Sequence, residues 1–311
     1  MSGEVPDGLV AVVVLNWNRR EDTLACLRSL AQVEVPPLLV VVVDNASSDG
    51  SADAVEREFP GVELIRNDAN LGFAEGNNAG IERALALGAE YVVVLNNDVE
   101  VDPGFVVALL DEAARRRDAA SLGSKILYES PPDLIWFAGA DYDPRSGYNG
   151  RQRGYREHDD GRFDEVVTTD RACGAAMLVP RAVLEQIGLF DPELFLYNED
   201  TDWSLRARAA GLRHYVVPAS VVHHKVSAAS GGESSPTTLY YGTRNSIVVA
   251  ERHARLGPLG TWRRRLVLLA ALAVQASRSG RAREGLAAVL EGFRDARAGR
   301  MGPRVTGTGR H

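Results

Sequence analysis

Several apolar stretches of this chain stop abruptly at side chains able to bind or transfer charge. Residues 91–95, YVVVL, run without a turn into Asn96, Asn97 and Asp98. A carboxylate at such a strand end is a candidate ligand for a hard cation that bridges phosphates; the same residues also suit a polar cluster capping the helix after Asp102-Pro103. Residues 38–43 end in the same way at Asp44 and Asn45. An ionised carboxylate only accepts hydrogen bonds, and uracil and thymine offer an imide N–H, so Asp44 with Asn45 can read a pyrimidine base. An Asx turn capping the next helix would use the same two residues.

Residues 67–81, NDANLGFAEGNNAGI, place three glycines and four asparagines around a helix start. Gly72 and Asn77 are the candidates there, because such a composition permits close backbone approach to a ligand; a loop and helix cap is the plainer reading. In residues 197–202, YNEDTD, the carboxylates of Glu199, Asp200 and Asp202 lie at a helix N-terminus, where the dipole keeps them ionised. An aspartate held there can be a general base for a hydroxyl nucleophile, although charge complementarity with the dipole accounts for it too. His223 and His224 end a strand. His224 is either a structural hydrogen-bonder or, beside Asp98, a second protein ligand to Mg2+ or Mn2+, with imidazole favouring manganese.

Alternating elements must position these groups. Buried-type strands are predicted at 10–15, 38–43, 62–66 and 91–95, with helices at 21–31, 51–59 and 73–87 between them. Single helices joining successive strands give right-handed crossovers and a parallel, Rossmann-like sheet. Ligands in such sheets sit outside the carboxyl ends of the strands, so Asn16, Asp44, Asn70 and Asp98 should gather along one rim. Beyond a helix at 103–117 and a strand at 121–128, residues 131–167 show little periodicity and read as a long functional or mobile loop. Strands follow at 172–179 and 215–217, with helices from 181 and at 199–210. A flexible loop is expected at 231–236, GGESSP, and helices at 266–276 and 284–294.

Composition narrows the function. The 311 residues carry a net charge of −7, no nucleic-acid signature. Cys26 and Cys173 are the two cysteines, too few for a disulfide framework or a zinc site, and they fit a reducing cytoplasm. The first ten residues lack the pattern of a signal peptide, and the longest apolar run, 266–274, falls short of the roughly 18 residues of a membrane span. From Arg255 onward the acids are only Glu284, Glu291 and Asp295 against many arginines. That basic region, beside a short apolar helix, suits either peripheral contact with an anionic membrane at its cytoplasmic face or a solvated helical face. After the first strand the chain reads LNWNRRED, without the glycine fingerprint of dehydrogenases, and it contains no Walker loop.

Taken together, VVVLNWNR, VVVDNASSDGS, NLGFAEGNNAGI, YVVVLNNDVEVD, ACGAAMLVPR, GLFDPELFLYNEDTDWSLRARAAG, HHKVSAASGG and YYGTRN resemble the family-2 glycosyltransferases of GT-A fold. Within that family the chain is most similar to the bacterial branch that includes rhamnosyltransferases building cell-surface polysaccharides, over roughly residues 9–245. The resemblance implies an α/β, mostly parallel central sheet flanked by helices, with a C-terminal helical extension. It divides the chain into a transferase domain, 1–225, and a basic extension, 226–311; the nucleotide-binding half covers about 9–128 and the acceptor half 129–225.

By position, the resemblance assigns the base to Asp44 and Asn45, and the Asp-x-Asp metal motif to Asn96, Asn97 and Asp98, with Asn96 departing from it. Asp200, second of a Glu199-Asp200 pair, falls on the catalytic base. His224 matches a metal ligand of some relatives, and Arg244 with Asn245 matches a pair expected near the diphosphate or acceptor. Asn16, Gly72, Asn77 and Asn97 complete the expected nucleotide-sugar site, and donor-sugar and acceptor contacts are expected in 131–167 and around 172–176. The implied reaction is an inverting, metal-dependent transfer from a nucleotide-diphosphate sugar, dTDP-rhamnose or a UDP-sugar, to a glycan or polyprenyl-linked acceptor. A sugar-nucleotide-forming enzyme would need a glycine-rich, arginine-containing loop after the first strand, which is missing. A catalytically silent subunit that recognises glycans or a partner enzyme is the remaining alternative.

Overall fold

The structure is a computed structural model describing residues 8–33, 38–146, 148–226, 234–277, 281–306 and 309–310. Its first part follows the predicted alternation: β1 (Leu9–Asn16), α1 (Arg20–Leu30), β2 (Leu38–Asp44), α2 (Ser51–Glu58), β3 (Glu63–Arg66), α3 (Gly72–Ala86) and β4 (Ala89–Asn96). The side chains of β1 alternate between two cores. Val10, Val12 and Val14 pack with Leu24, Leu27 and Leu30 of α1, while Ala11 and Val13 pack with Ala74, Ile81 and Ala84 of α3. Such double-sided burial explains the continuous valine runs, each fully buried valine contributing about 1.5–3 kcal/mol. Gly80 lets α3 lie close to the sheet, since a Cβ there would stand 2.3 Å from a Val13 methyl.

The second part is β5 (Val99–Val101), α4 (Phe105–Arg115), β6 (Ala119–Tyr128), β7 (Ile135–Phe137), β8 (Ala140–Asp143), β9 (Tyr148–Gln152), β10 (Val167–Thr169), β11 (Ala176–Pro180), α5 (Arg181–Ile187), a 3-10 turn (Pro192–Leu194), α6 (Glu199–Ala209) and β12 (Arg213–His224). The main sheet has the order β10-β12-β6-β11-β4-β1-β2-β3. The strands β1–β4 are mutually parallel, as are β6 and β12, and antiparallel β11 joins the two groups. The sheet is therefore mostly parallel, as expected. Three expectations change in detail. The aperiodic stretch 131–167 contains the short strands β7–β9, the strand predicted from 172 begins at Ala176, and β12 begins at Arg213 and reaches His224, as expected, across a register shift between Val217 and Val221.

Helices α7 (Pro236–His253), α8 (Pro258–Ser277) and α9 (Ala282–Ala298) follow. Periodicity did not reveal α7, whose Thr, Tyr, Gly, Ile and Val content is unfavourable for a helix; burial of Leu239, Tyr240, Tyr241, Ile247 and Val249 outweighs that preference. Part of the expected 231–236 loop, and part of HHKVSAASGG, lie outside the described residues. Among the described residues no helix is long and apolar enough to cross a membrane.

Candidate active site

Register brings the rim together. Asn16 pairs across the sheet with Asp44, and Leu15 with Asn96, so three parallel strands end level with one another. The Asn16 amide donates to Asp44 Oδ1 at 2.6 Å and to Ser47 Oγ at 3.0 Å. Its carbonyl accepts from Thr23 Oγ1 at 2.7 Å and from Asn97 Nδ2 at 3.1 Å. Asn97 also donates to Thr23 Oγ1 at 2.9 Å. Asn16 is buried with its amide and carbonyl both engaged, and Asn97, also buried, gives its amide to Asn16 and Thr23; together they orient Asp44, whose Oδ2 accepts from the Ser47 amide at 3.0 Å. Each Asp44 oxygen keeps a lone pair for a further donor. Thr23 escaped the sequence reading because a threonine inside a helix carries no distinguishing signal.

Asn45 also turns inward. Its amide nitrogen donates to the Gly72 carbonyl at 2.9 Å and its carbonyl accepts from Asn67 at 2.8 Å, fastening the loop before α3. That loop does not leave the first turn of α3 open to a phosphate. The Phe195 carbonyl accepts from the Phe73 amide at 2.6 Å and the Ala74 amide at 3.3 Å, and a Cβ on Gly72 would stand 2.5 Å from the same oxygen. Asn77 is buried and bonds Phe73 of its own helix at 2.9 Å. The close approach expected at Gly72 is thus with Phe195 of the protein itself, whereas Asn77 keeps its buried Oδ1 without a partner.

Asp98 stands in the tight turn between β4 and β5. Because β5 pairs antiparallel with the end of β12, the turn faces His224, whose Nε2 donates to Asp98 Oδ1 at 3.0 Å. The Trp136 ring meets His224 edge-on, centroids 4.7 Å apart. Burial pushes the Asp98 carboxyl up, but the hydrogen bond and charge of His224, with Arg19 adding, outweigh it and hold the group below its ordinary range. Two donors 3.0 Å apart match neighbouring positions around a divalent cation bound at about 2.1 Å, and the His224 Nδ1 is buried without a partner. Among the described residues no three His, Cys, Asp or Glu side chains cluster for a metal, so further ligands would come from a bound diphosphate and water.

The three carboxylates at the start of α6 have separate fates. Asp202 is engaged by Arg206 at 2.9 Å and His253 at 2.9 Å. Glu199 is buried with Oε2 unpartnered; burial first, then the charge of Asp200, raises its carboxyl far above the ordinary range. Glu199 is thus enclosed by the protein, whereas the base position of the expected pair falls on Asp200. Asp200 alone remains partly exposed, positioned by the Gly174 amide at 3.2 Å and the Thr201 amide at 2.6 Å. Gly174 leads into Ala175, whose carbonyl accepts from the Asn96 amide at 3.0 Å, so this carboxylate is tied to the rim. A glycine in a short loop gave no sequence signal of that duty.

Arg244 and Asn245 are the largest correction. Both are fully buried. The Asn245 amide reaches the carbonyls of Leu194, Leu196 and Tyr197 at 2.9, 2.8 and 2.7 Å. Arg244 donates to Leu194 at 3.0 Å, to Gly302 at 2.6 Å and to the Asn245 side chain at 2.8 Å. They clamp a loop in which Phe195, Tyr197 and Asn198 all have positive φ, of 64°, 66° and 69°. Such non-glycine conformations cost about 1–3 kcal/mol each and persist only where the surroundings impose them. This loop launches α6, and with it Asp200.

The open, mostly parallel sheet flanked by helices is the fold of the GT-A glycosyltransferases. Residues 6–239 match the family described as "Glycosyltransferase like family 2", and the chain belongs to that family. It is 30% identical over 281 residues to the N-acetylglucosaminyl-diphospho-decaprenol L-rhamnosyltransferase of Mycobacterium tuberculosis, covering 82% of this chain and 87% of the relative. The dTDP-rhamnosyl transferase RfbF of Shigella flexneri is 24% identical, covering 78% and 80% of the two chains. Among solved structures, GalNAc-T7 with UDP, GalNAc and Mn2+ superposes at a TM-score of 0.62 and 15% identity, covering 94% of this chain and 56% of that one. The mannosyltransferase PcManGT of Pyrobaculum calidifontis, in complex with GDP-Man and Mn2+, gives 0.56 and 18%, covering 94% and 82%.

Proposed function

We propose that this glycosyltransferase moves a sugar, with inversion, from dTDP-rhamnose or a UDP-sugar to a hydroxyl of a polyprenyl-linked or glycan acceptor in cell-surface polysaccharide synthesis. The M. tuberculosis relative, a rhamnosyltransferase named for a decaprenol-linked acceptor, and the S. flexneri dTDP-rhamnosyl transferase support that donor and acceptor class. Asp44 accepts the imide N–H of the base. Asp98 and His224 would hold Mg2+ or Mn2+ beside the diphosphate; when bound, the cation offsets charge developing on the leaving group. Asp200 takes the proton of the acceptor hydroxyl while that oxygen bonds to the anomeric carbon and the bond to the diphosphate breaks. One displacement inverts the centre and releases the nucleoside diphosphate. The observation that carries this reading is the sorting of the α6 carboxylates: Asp202 is ion-paired, Glu199 is buried, and Asp200 alone is partly exposed.

Thermal melts with UDP, dTDP, GDP and CDP, each with and without Mn2+ or Mg2+, test the donor site. A ligand that binds the native state raises Tm by mass action. Metal-dependent stabilisation by dTDP or UDP, but not by GDP or CDP, is the expected result; stabilisation by none of them with either metal would refute the assignment.

A further inference from the structure

The outer face of the C-terminal helix pair has more exposed apolar surface than the rest of the fold explains. Of the eleven large apolar side chains exposed among the described residues, seven lie on α8 and α9, so this is a patch and not scatter. Leu259, Trp262, Leu266, Val267 and Val274 follow helical spacing on one side of α8 and are 85%, 47%, 61%, 48% and 49% exposed. The opposite side of α8 is the one that packs, through Arg264, Leu268 and Ala276. The Arg297 guanidinium of α9 lies 5.8 Å from the Trp262 ring and 5.8 Å from Phe293, joining the two helices into one surface.

Charge says what covers it. Within residues 258–298 the acids are Glu284, Glu291 and Asp295, and each is answered from the chain itself, by Arg281, Arg304 and Arg300. Exposed Arg263, Arg283 and Arg294 have no ion-pair partner among the described residues. An apolar stripe bordered by unpaired arginines is the pattern of a helix lying in a membrane interface, apolar side among the acyl chains and cations among anionic headgroups. We propose that this face docks the protein on an anionic phospholipid bilayer. The inference deepens the function above, resting on it for its purpose: α9 packs on α7 where Gly292 meets the Tyr240 carbonyl, and α7 holds the loop before Asp200. Docking there would keep the catalytic aspartate in fixed relation to a membrane-held acceptor.

Sedimentation of the full chain with phosphatidylcholine vesicles, with and without phosphatidylglycerol, tests the proposal. We expect pelleting with the anionic vesicles that weakens as salt rises. Leu266→Glu should weaken binding at least about tenfold and Arg263→Gln about fivefold, both with unchanged Tm, because these side chains are exposed. Transfer to a short-chain soluble acceptor should be unaffected by Leu266→Glu while transfer to a vesicle-borne acceptor falls. Lack of vesicle binding at low salt, or equal binding by Leu266→Glu, would overturn the inference. A dimer in solution that Leu266→Glu dissociates would assign the face to a second copy and overturn it too. Binding that persists in a preparation without transferase activity would instead refute the function and leave the docking surface standing.

Discussion

Two regions of the molecule hold a carboxylate over the cleft by opposite means. At the rim, regular strands end in register and short side chains bond one another, so Asp44 is oriented by Asn16 and the Ser47 amide, with Thr23 and Asn97 behind them. Before Asp200 the backbone itself is forced, with three positive-φ residues kept in place by a buried arginine and asparagine some fifty residues later in the chain. The rim has positive-φ residues too, Asn18, Arg19 and Ala46, but its bonds are nearly local to β1, β2 and α1. The loop depends on α7, so the Asp200 carboxylate inherits its position from a helix late in the chain. A rim lesion should therefore register in nucleotide binding and a clamp lesion in turnover and stability.

Asp200→Asn breaks the comparison most sharply. It should lower transfer by about 10²–10⁴-fold while leaving dTDP- or UDP-induced stabilisation intact; substantial remaining transfer would remove Asp200 from the role. Next in size is Arg244→Met, which takes the buried guanidinium from the Gly302 carbonyl and leaves the Leu194 carbonyl with Asn245 as its remaining donor. Urea unfolding should show a loss of about 3 kcal/mol, and kcat should fall with the donor KM unchanged. A raised donor KM with unchanged stability would return Arg244 to the ligand site. On the rim, Asp44→Asn should do the reverse, raising the donor KM roughly 10- to 100-fold with little change in kcat.

The smallest effect concerns His214, which links β12 and β6 to α6. Its Nδ1 accepts from Ser121 at 2.8 Å and its Nε2 donates to the Ser204 carbonyl at 3.0 Å. Burial lowers the group to about 4 from 6.5. The unfolded chain therefore takes up a proton that the folded chain refuses, and stability contributed by the neutral ring is lost as pH falls from 6.5 toward 4. Wild type should lose about 2 kcal/mol more than His214→Gln between pH 7.5 and pH 5, measured by urea unfolding at each pH. Equal losses in the two proteins would show that His214 protonates freely in the folded state.

The amino-acid sequence alone determined the alternation of strands and helices, the mostly parallel sheet and the rim at its strand ends, because burial on both faces leaves continuous apolar runs and each run stops where solvent begins. It also placed Asp44, Asp98 and His224 at those ends, since a polar residue directly after a buried strand stands out from its neighbours, and Asp200 at a helix N-terminus. It could not sort Glu199, Asp200 and Asp202 into a buried acid, an available carboxylate and an ion-paired one, because their neighbours come from remote parts of the chain. Nor could it separate a ligand-binding asparagine from one that fastens a loop. Asn16, Asn45, Asn77 and Asn97 carry the same amide whichever partner they meet, and only the packed structure decides whether that partner is the protein. For Arg244 the decision reversed the expectation: a guanidinium suited to a phosphate is enclosed with backbone carbonyls, because a strained loop needs donors where water does not reach.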